Sequence, residues 1–357
     1  ADPRARKAQA GSHEERPDLF GATRRGREAA AADFEASAAS LDAARVSLVA
    51  EVARNYIELR GDQARLEIAR ANLASQSETL QLVAWRAQAG LAGSLEVEQA
   101  RGNREQTRAQ IPALETSLAQ ARHQIALLLG QAPASQQARL TPVAAIPRID
   151  DRLAIGIPAD TLRRRPDLRA AERKLAAETA RIGVAEAARY PNLTLSGTLG
   201  LDSPRLPDLL EAGSLGHSLL ASVAGTLFDG GRLRQRVEIQ TAVQEQALAT
   251  YQGTLLTALR EVDDALAALA NSGQRQAALA SAAEAAREAA RLARQRYAAG
   301  LVDFINVLDS ERGLLALEDS LATAQVARAS ALVQLYKALG GGWTAETQAA
   351  AAPPADR

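Results

Sequence analysis

Hydrophobic positions follow helical spacing along most of the chain. In residues 22–89 apolar side chains recur every three to four positions, which is the period of one helix face. Residues 232–299 contain no proline and continue this pattern, and each stretch is followed by a shorter helical segment, 94–129 or 304–339. A helix of about 68 residues is about 100 Å long. The pattern therefore predicts two long helical hairpins.

Glycines predict where these hairpins turn and end. Residues 90–93 read Gly-Leu-Ala-Gly and residues 300–303 read Gly-Leu-Val-Asp, each between a long helix and its return helix. Gly130 and Gly340 follow the return helices at the position where glycine commonly ends a helix. We expect two hairpins, residues 19–130 and 229–340.

A two-residue period replaces the helical one in residues 191–228. Apolar side chains alternate with small hydroxylic ones, which is typical of a transmembrane β-barrel strand and also of an ordinary hairpin packed on helices. The period predicts strands over 192–201 and 214–227. The apolar positions are Leu193, Leu195, Leu199 and Leu201 in the first strand and Leu215, Leu219, Val223 and Leu227 in the second.

The remaining segments have weaker signals. Residues 1–18 are charged and without a period, which indicates disorder or a degraded strand. Four prolines in residues 131–160 indicate a crossing connection, and Pro166 favours a helix start within residues 161–190. We expect the alanine-rich residues 341–357 to be disordered.

The chain also repeats itself. Three matches lie 210 residues apart and a fourth, Leu19-Phe20 with Leu227-Phe228, lies 208 apart. Each half is a strand, a very long helix, a glycine turn and a return helix. A helix and a strand precede the second half, so the repeat predicts that the chain lacks an N-terminal strand and at least one helix. The three matches are Glu51-Val52 with Glu261-Val262, Gly90-Leu91 with Gly300-Leu301, and Gly130 with Gly340.

Composition narrows the chemistry. Aromatic residues make up 3% of the chain, cysteine is absent and the formal net charge is zero, so small-residue helix packing is favoured over a bulky core. The three arginines at 163–165 form a short basic run without interleaved aromatic residues, which argues against a nucleic-acid patch. No nucleophile elbow or phosphate-binding glycine loop is present in the sequence. We predict no enzymatic activity, no cofactor and no metal.

Several stretches resemble a known family. They are residues 162–172 (LRRRPDLRAAE), 182–191 (IGVAEAARYP), 227–231 (LFDGG) and 297–301 (YAAGL) with Val307-Leu308-Asp309. Together they are similar to the outer membrane factors of tripartite efflux systems, the TolC/OprM-like proteins, and most closely to their NodT-type lipoprotein branch. The similarity extends from about Leu19 to Trp343.

The resemblance implies a mainly α fold with membrane β-strands. In this family a homotrimer combines a periplasmic α-barrel with an outer-membrane β-barrel of 12 strands, four from each protomer. The expected function is a passive exit duct for multidrug efflux or export in the outer membrane of a Gram-negative cell. The implied partners are a periplasmic adaptor, an inner-membrane pump and outer-membrane lipid.

The resemblance also assigns roles to residues. Asn306 and Asp309 match two gate aspartates on the inner wall, and Tyr297 matches a tyrosine that holds adjacent helices together near that gate. From the residues alone, Asp309 is interpreted as a solvated surface acid. The tip glycines are equally consistent with a tight turn and with an adaptor contact. The tip residues implied to contact the adaptor are Gly90, Leu91, Gly93, Gly300, Leu301 and Asp303.

The chain departs from the family pattern at its start. Residues 8–20 stand where a strand is expected but neither alternate nor avoid proline. The family's first two helices, first strand, signal peptide and lipid-carrying cysteine have no counterpart, and two good strands would not complete the usual barrel. Two alternatives therefore stay open: a periplasmic coiled-coil adaptor or structural protein, and a non-functional truncated channel fragment.

Overall fold

The computed structural model describes residues 6–147, 163–203 and 215–341. The expected tail, apart from residue 341, and the connection beyond residue 147 lie outside these residues. The described elements, in chain order, are β1 (Arg6–Glu15), α1 (Ala22–Gln88), α2 (Ser94–Leu128), α3 (Gln137–Leu140), α4 (Pro166–Ala187), β2 (Asn192–Ser203), β3 (Leu215–Ala224), α5 (Arg232–Ala298) and α6 (Phe304–Ala338).

The helices show the duplication directly. Helices α1 and α5 each have 67 residues, and α2 and α6 each have 35. The start of α5 lies 210 residues after that of α1, and the start of α6 lies 210 residues after that of α2. Glycines with positive φ occupy matching turns, with values of 73° at Gly90 and 74° at Gly300. The internally duplicated chain predicted from the sequence is confirmed.

The strands form one antiparallel sheet in the order β1-β2-β3. Leu193 pairs with Val223 and Gly197 with Leu219, so Leu193, Leu195 and Leu199 share a face of the sheet with Leu219 and Val223. On the other face the hydroxyl oxygens of Thr198 and Ser218 lie 2.6 Å apart. Strand β3 ends at Ala224, and the prediction that it extends to residue 227 was wrong.

Two other expectations need correction. Residues 6–15 form strand β1, paired along β2 with one irregularity between Gln9 and Gly11, so disorder was the wrong interpretation of this segment. Sheet pairing uses backbone groups and does not require side-chain alternation, and Pro17 lies beyond the end of the strand. The proline-containing connection also holds the short helix α3.

The chain divides into two compact units, and the long helices contribute to both. The first unit comprises Ala1–Leu41 and Pro166–Leu255. In it, Asp33 of α1 accepts hydrogen bonds from Lys174 and Arg181 of α4, the former at 3.0 Å. Gln240 of α5 donates to Glu178 of α4 at 2.9 Å. Polar bonds therefore join all three helices of this unit.

The second unit comprises Asp42–Arg165 and Leu256–Arg357. Small residues allow close packing: a Cβ added to Gly61 of α1 would lie 2.2 Å from Val326 Cγ2 of α6. Arg165 is buried and donates to Ala338 O at 2.8 Å and to Glu261 at 2.7 Å, so this arginine has a structural contact inside the unit. Within the described residues, no helix combines the length and the apolar character that a membrane span would need.

Candidate gate at the helical tips

Both hairpin turns have the same backbone geometry. Gly90 and Gly300 adopt positive φ, where a residue without Cβ avoids strain. The next residue, Leu91 or Leu301, donates its N–H back to the carbonyl of Arg86 or Arg296, at 2.8 and 2.9 Å. These bonds satisfy carbonyl groups left free at the helix ends. The glycine signals in the sequence therefore mark two equivalent closed turns.

The return helices start from extended residues. Gly93 precedes α2 with φ −86° and ψ 159°, and Asp303 precedes α6 with φ −75° and ψ 155°. Neither position supplies a side-chain cap hydrogen bond. Asp303 therefore has an exposed carboxylate at the tip. Leu91 and Leu301 are also exposed, at 68% and 73% of their surface.

A hydrophobic cluster, here called the tip core, lies just behind the turns. It joins α1, α2, α5 and α6, and the Tyr297 and Phe304 rings meet edge to face at 5.5 Å. An edge-to-face arrangement adds to the energy of burial. The buried members of the tip core are Val83, Ala100, Tyr297, Phe304, Val307 and Leu308.

Tyr297 ties three helices together. Its hydroxyl donates to Glu96 of α2 at 2.7 Å. The Arg86 guanidinium of α1 lies 4.7 Å from its ring centroid, and Arg86 Nη1 also donates to the Tyr297 carbonyl at 2.9 Å. Burial, together with the hydrogen bond to Glu96, raises the pKa of Tyr297 to about 12. From the end of α5, Tyr297 therefore contacts both α1 and α2.

Asn306 and Asp309 lie on the outer side of α6. Both are exposed, while Val307 and Leu308 between them are buried in the tip core. They are three positions apart, so they occupy one face about one turn from each other. Asn306 Nδ2 donates to the Asp303 carbonyl at 3.3 Å. The structure thus places the two expected gate residues together on a solvent-facing surface of the protomer.

The sequence reasoning missed Glu311. This carboxylate is only 4% exposed, and it accepts hydrogen bonds from Thr79 Oγ1 of α1 at 2.7 Å and from Asn103 Nδ2 of α2 at 3.4 Å. Burial raises its pKa, and the hydrogen bond from Thr79 and the charge of Arg294 oppose that effect. The available signal was its position: Val307, Leu308 and Leu314 form an apolar stripe on α6, and Glu311 falls within that stripe.

The strand positions have uneven exposure. Leu199 of β2 and Leu219 and Val223 of β3 are exposed, as is Leu227 beyond the strand. Leu193 and Leu195 are partly exposed, and the side chains of Leu201 and Leu215 lie outside the described part of the chain. Exposed apolar residues on a sheet face are typical of a surface covered by lipid or protein.

Across residues 6–147, 163–203 and 215–341, no three His, Cys, Asp or Glu side chains form a group that could hold a metal ion. The polar residues at the tips join helices to one another. Tyr297, Arg86 and Glu311 make contacts between helices, whereas Asn306 and Asp309 lie on an exposed polar surface.

The outer membrane efflux protein family model matches residues 18–131 and 157–341. Outer membrane protein OprJ of Pseudomonas aeruginosa is 37% identical over 326 residues, which are 91% of this chain and 68% of that protein. Nodulation protein T of Rhizobium leguminosarum bv. viciae is 36% identical over 333 residues, 92% of this chain and 68% of the relative. The chain thus spans about two thirds of the length of these relatives.

A solved structure of an outer-membrane channel is also similar to this chain. The outer-membrane channel OprN superposes with a TM-score of 0.89 at 37% identity, covering 95% of this chain and 80% of that one. The match excludes the alternative of a periplasmic coiled-coil adaptor, because it extends through the strands as well as both hairpins. The chain therefore belongs to the outer membrane efflux protein family, and it is an outer-membrane efflux channel protein rather than an enzyme.

Proposed function

We propose that three copies of this chain form the exit duct of a tripartite efflux system, closed at the periplasmic end by the helical tips. The strands β1, β2 and β3 contribute to an outer-membrane barrel, and the four long helices contribute to an α-barrel across the periplasm. Two 67-residue helices, each about 100 Å along its contour, support this role, because such a length suits crossing a compartment. An inner-membrane pump supplies the energy.

The position of Asp309 carries the gate proposal. Its carboxylate is exposed on α6, one turn from Asn306 and close to the tip turn. Three such carboxylates around a threefold axis form an acidic ring, which attracts cations and opposes passage of anions. Asn306 adds a second polar ring without charge. Tyr297 holds the helices behind this surface in place.

Conductance of the full chain in planar lipid bilayers tests the gate. We expect Asp309→Ala to raise the ion leak and to weaken cation preference, because the ring loses its charge. Asp264→Ala is the matched control, since it removes an exposed acid from α5 at a distance along the chain from the tip. Conductance of Asp309→Ala equal to that of the parent would remove Asp309 from the gate.

The oligomeric state has an independent test. Light scattering of the detergent-solubilised particle, corrected for detergent, should give three times the chain mass of 37.7 kDa, about 113 kDa. A monodisperse monomer would contradict the trimeric duct. This measurement does not depend on Asp309 and so separates assembly from gating.

The tips are also the proposed adaptor contact. Leu91 and Leu301 occupy equivalent positions in the two turns and are exposed, and exposed leucines of this kind suit a protein partner. We expect Leu91→Glu combined with Leu301→Glu to abolish co-sedimentation with a purified periplasmic adaptor while the trimer mass stays unchanged. Leu127→Glu, an equally exposed leucine at the far end of α2, is the control.

A further inference from the structure

Glu311 and Asp309 lie on opposite faces of α6. Two residues at about 100° each separate their side chains by about 200°. Asp309 is exposed, whereas Glu311 is buried against α1 and α2 through Thr79 and Asn103. A rotation of α6 that removed Glu311 from these partners would therefore also move Asp309 from its outward position.

We propose that Glu311 is a positioning residue: its buried contacts with Thr79 and Asn103, here called the pin, fix the rotation of α6 and so orient Asp309 and Asn306 outward. This orientation matters for transport only through the gate proposed above. The pin connects the two repeats, because Glu311 belongs to the second hairpin and both of its hydrogen-bond partners belong to the first. A change at Glu311 thus alters how one hairpin holds the other.

The duplicated positions in the other repeat do not reproduce the contacts of Glu311 with Thr79 and Asn103. The residues 210 positions from Glu311, Thr79 and Asn103 are Arg101, Ala289 and Gly313. None of these supplies a buried acid or its donors, and Arg101 is exposed. The second repeat therefore carries an acid that general hairpin packing does not require.

Further polar contacts set the same register between α1 and α6. Seven residues after Glu311, Glu318 accepts from Asn72 at 3.1 Å, and Asn72 lies seven residues before Thr79. Asp319 accepts from Arg65 Nε at 2.6 Å. The donors Thr79, Asn72 and Arg65 follow one another at seven-residue steps on α1, and Glu311 is the acceptor nearest the tip. It is also the most buried of the three acids.

The surroundings of Glu311 make its charge costly. Helices α1 and α2 present the uncharged Thr79 and Asn103, and α5 presents Arg294, which also donates to Ser75 Oγ. The hydrogen bond from Thr79 and the charge of Arg294 both favour the charged carboxylate. On its own helix, Arg312 is held by Asn103 Oδ1 at 3.2 Å. Burial is the larger effect and raises the pKa of Glu311 above the ordinary value of 4.5.

The sign of the pH dependence follows. Because the folded pKa is raised, the packed arrangement favours the protonated acid. The stabilisation is complete below the ordinary glutamate pKa and decreases as the pH rises through the raised value. Within that window, one proton changes the equilibrium between pinned and released α6 by up to about tenfold per pH unit.

The absence of cysteine from the chain permits a direct experiment. Val307→Cys places a thiol at a fully buried position of the tip core, and its labelling rate by a methanethiosulfonate reagent reports opening of α6. Ser37→Cys, exposed in the other unit, gives the reference rate for the thiol at each pH. The measurement uses the full chain in detergent, with Glu311 intact or replaced by Gln or Ala.

We expect labelling with Glu311 intact, relative to Glu311→Gln, to rise with pH by up to about tenfold per unit inside the window. Glu311→Gln is neutral at every pH: its amide oxygen can accept from Asn103 and its amide N–H can donate to the Thr79 hydroxyl, so its rate relative to Ser37→Cys should be low and independent of pH. Glu311→Ala should label fast at every pH. Equal, parallel profiles for Glu and Gln would overturn the pin, even if Glu311→Ala failed to fold.

The experiments distinguish failure of the Glu311 proposal from failure of the Asp309 gate proposal. If Asp309→Ala leaves conductance unchanged while the Glu and Gln labelling profiles diverge, the gate proposal fails and the pin stands. If the labelling profiles coincide while Asp309→Ala increases leak, the gate stands and the pin is overturned.

Discussion

The Tyr297 hydroxyl lies 2.7 Å from Glu96 Oε2, a hydrogen bond that joins the last turn of α5 to the first turn of α2. Tyr297→Phe removes this bond and keeps the ring. We expect a loss of about 1–2 kcal/mol in the free energy of unfolding, because the acceptor is charged. Urea denaturation of the detergent-solubilised protein measures it. Tyr336→Phe is the control, and equal midpoints for the two variants would contradict the prediction.

The same tyrosine predicts a pH effect. Its folded pKa of about 12 lies above the ordinary value of 10.0, so folding favours the neutral phenol. The stabilisation is complete below the ordinary value and is lost as the pH rises towards about 12. The difference in tyrosinate absorbance between parent and Tyr297→Phe should titrate near this higher value. A midpoint near 10.0 would show that the buried contact is absent.

Gly61 predicts a steric effect in the middle of the second unit. An added Cβ would lie 2.2 Å from Val326 Cγ2, so Gly61→Ala forces α1 and α6 apart. We expect a loss of about 1–3 kcal/mol from overpacking. Gly102→Ala, where nothing lies within 4 Å of the new methyl, should instead gain about 0.5–1 kcal/mol from helix propensity.

Thermal or urea midpoints of these glycine variants are directly comparable. Adding Val326→Ala to Gly61→Ala should recover part of the lost stability, because it removes the methyl group that the new Cβ meets. A double variant less stable than both single variants would show that the clash is not the cause.

The sequence predicted the long helices and the tips well because local signals determine them. Helical period, the absence of proline and glycines that accept positive φ place the bounds of α1 and α5 within one residue. The repeat added further evidence, since two copies gave the same bounds. The start of the chain was harder, because β1 is stabilised by pairing with β2, about 190 residues away in sequence, and has no alternation of its own.

At the candidate site, too, contacts between residues far apart in the sequence could not be predicted. Asn306 and Asp309 were found by resemblance, and their exposure follows from the helical period. Glu311 was missed because its burial depends on Thr79 and Asn103, which are more than 200 residues away. A charged residue within an apolar stripe was visible in the sequence, but its partners on other helices were not.

We expect Arg165, in the basic run at residues 163–165, to stabilise the second unit. Its almost fully buried side chain donates hydrogen bonds to Ala338 O and to Glu261. We expect Arg165→Ala to lower the free energy of unfolding by about 2 kcal/mol, because two charge-assisted bonds are lost. Arg164→Ala, an exposed neighbour, should change it by less than about 0.5 kcal/mol. Equal effects of the two changes would contradict the assignment.

We expect the start of α5, in the first unit, to be sensitive to acid because Asp229 caps it. Its carboxylate accepts from the backbone N–H of Leu233 at 2.7 Å and of Gly231 at 2.9 Å, and these bonds hold its pKa below the ordinary value of 3.8. The cap is therefore complete above that ordinary value and is lost as the pH falls through the lowered one. Asp229→Ala should speed hydrogen exchange at the Leu233 amide several-fold at neutral pH, because the amide loses its acceptor. Asp229→Asn keeps an acceptor oxygen and should stay close to the parent; if Asn exchanged as fast as Ala, charge rather than the hydrogen bond would be holding the helix start.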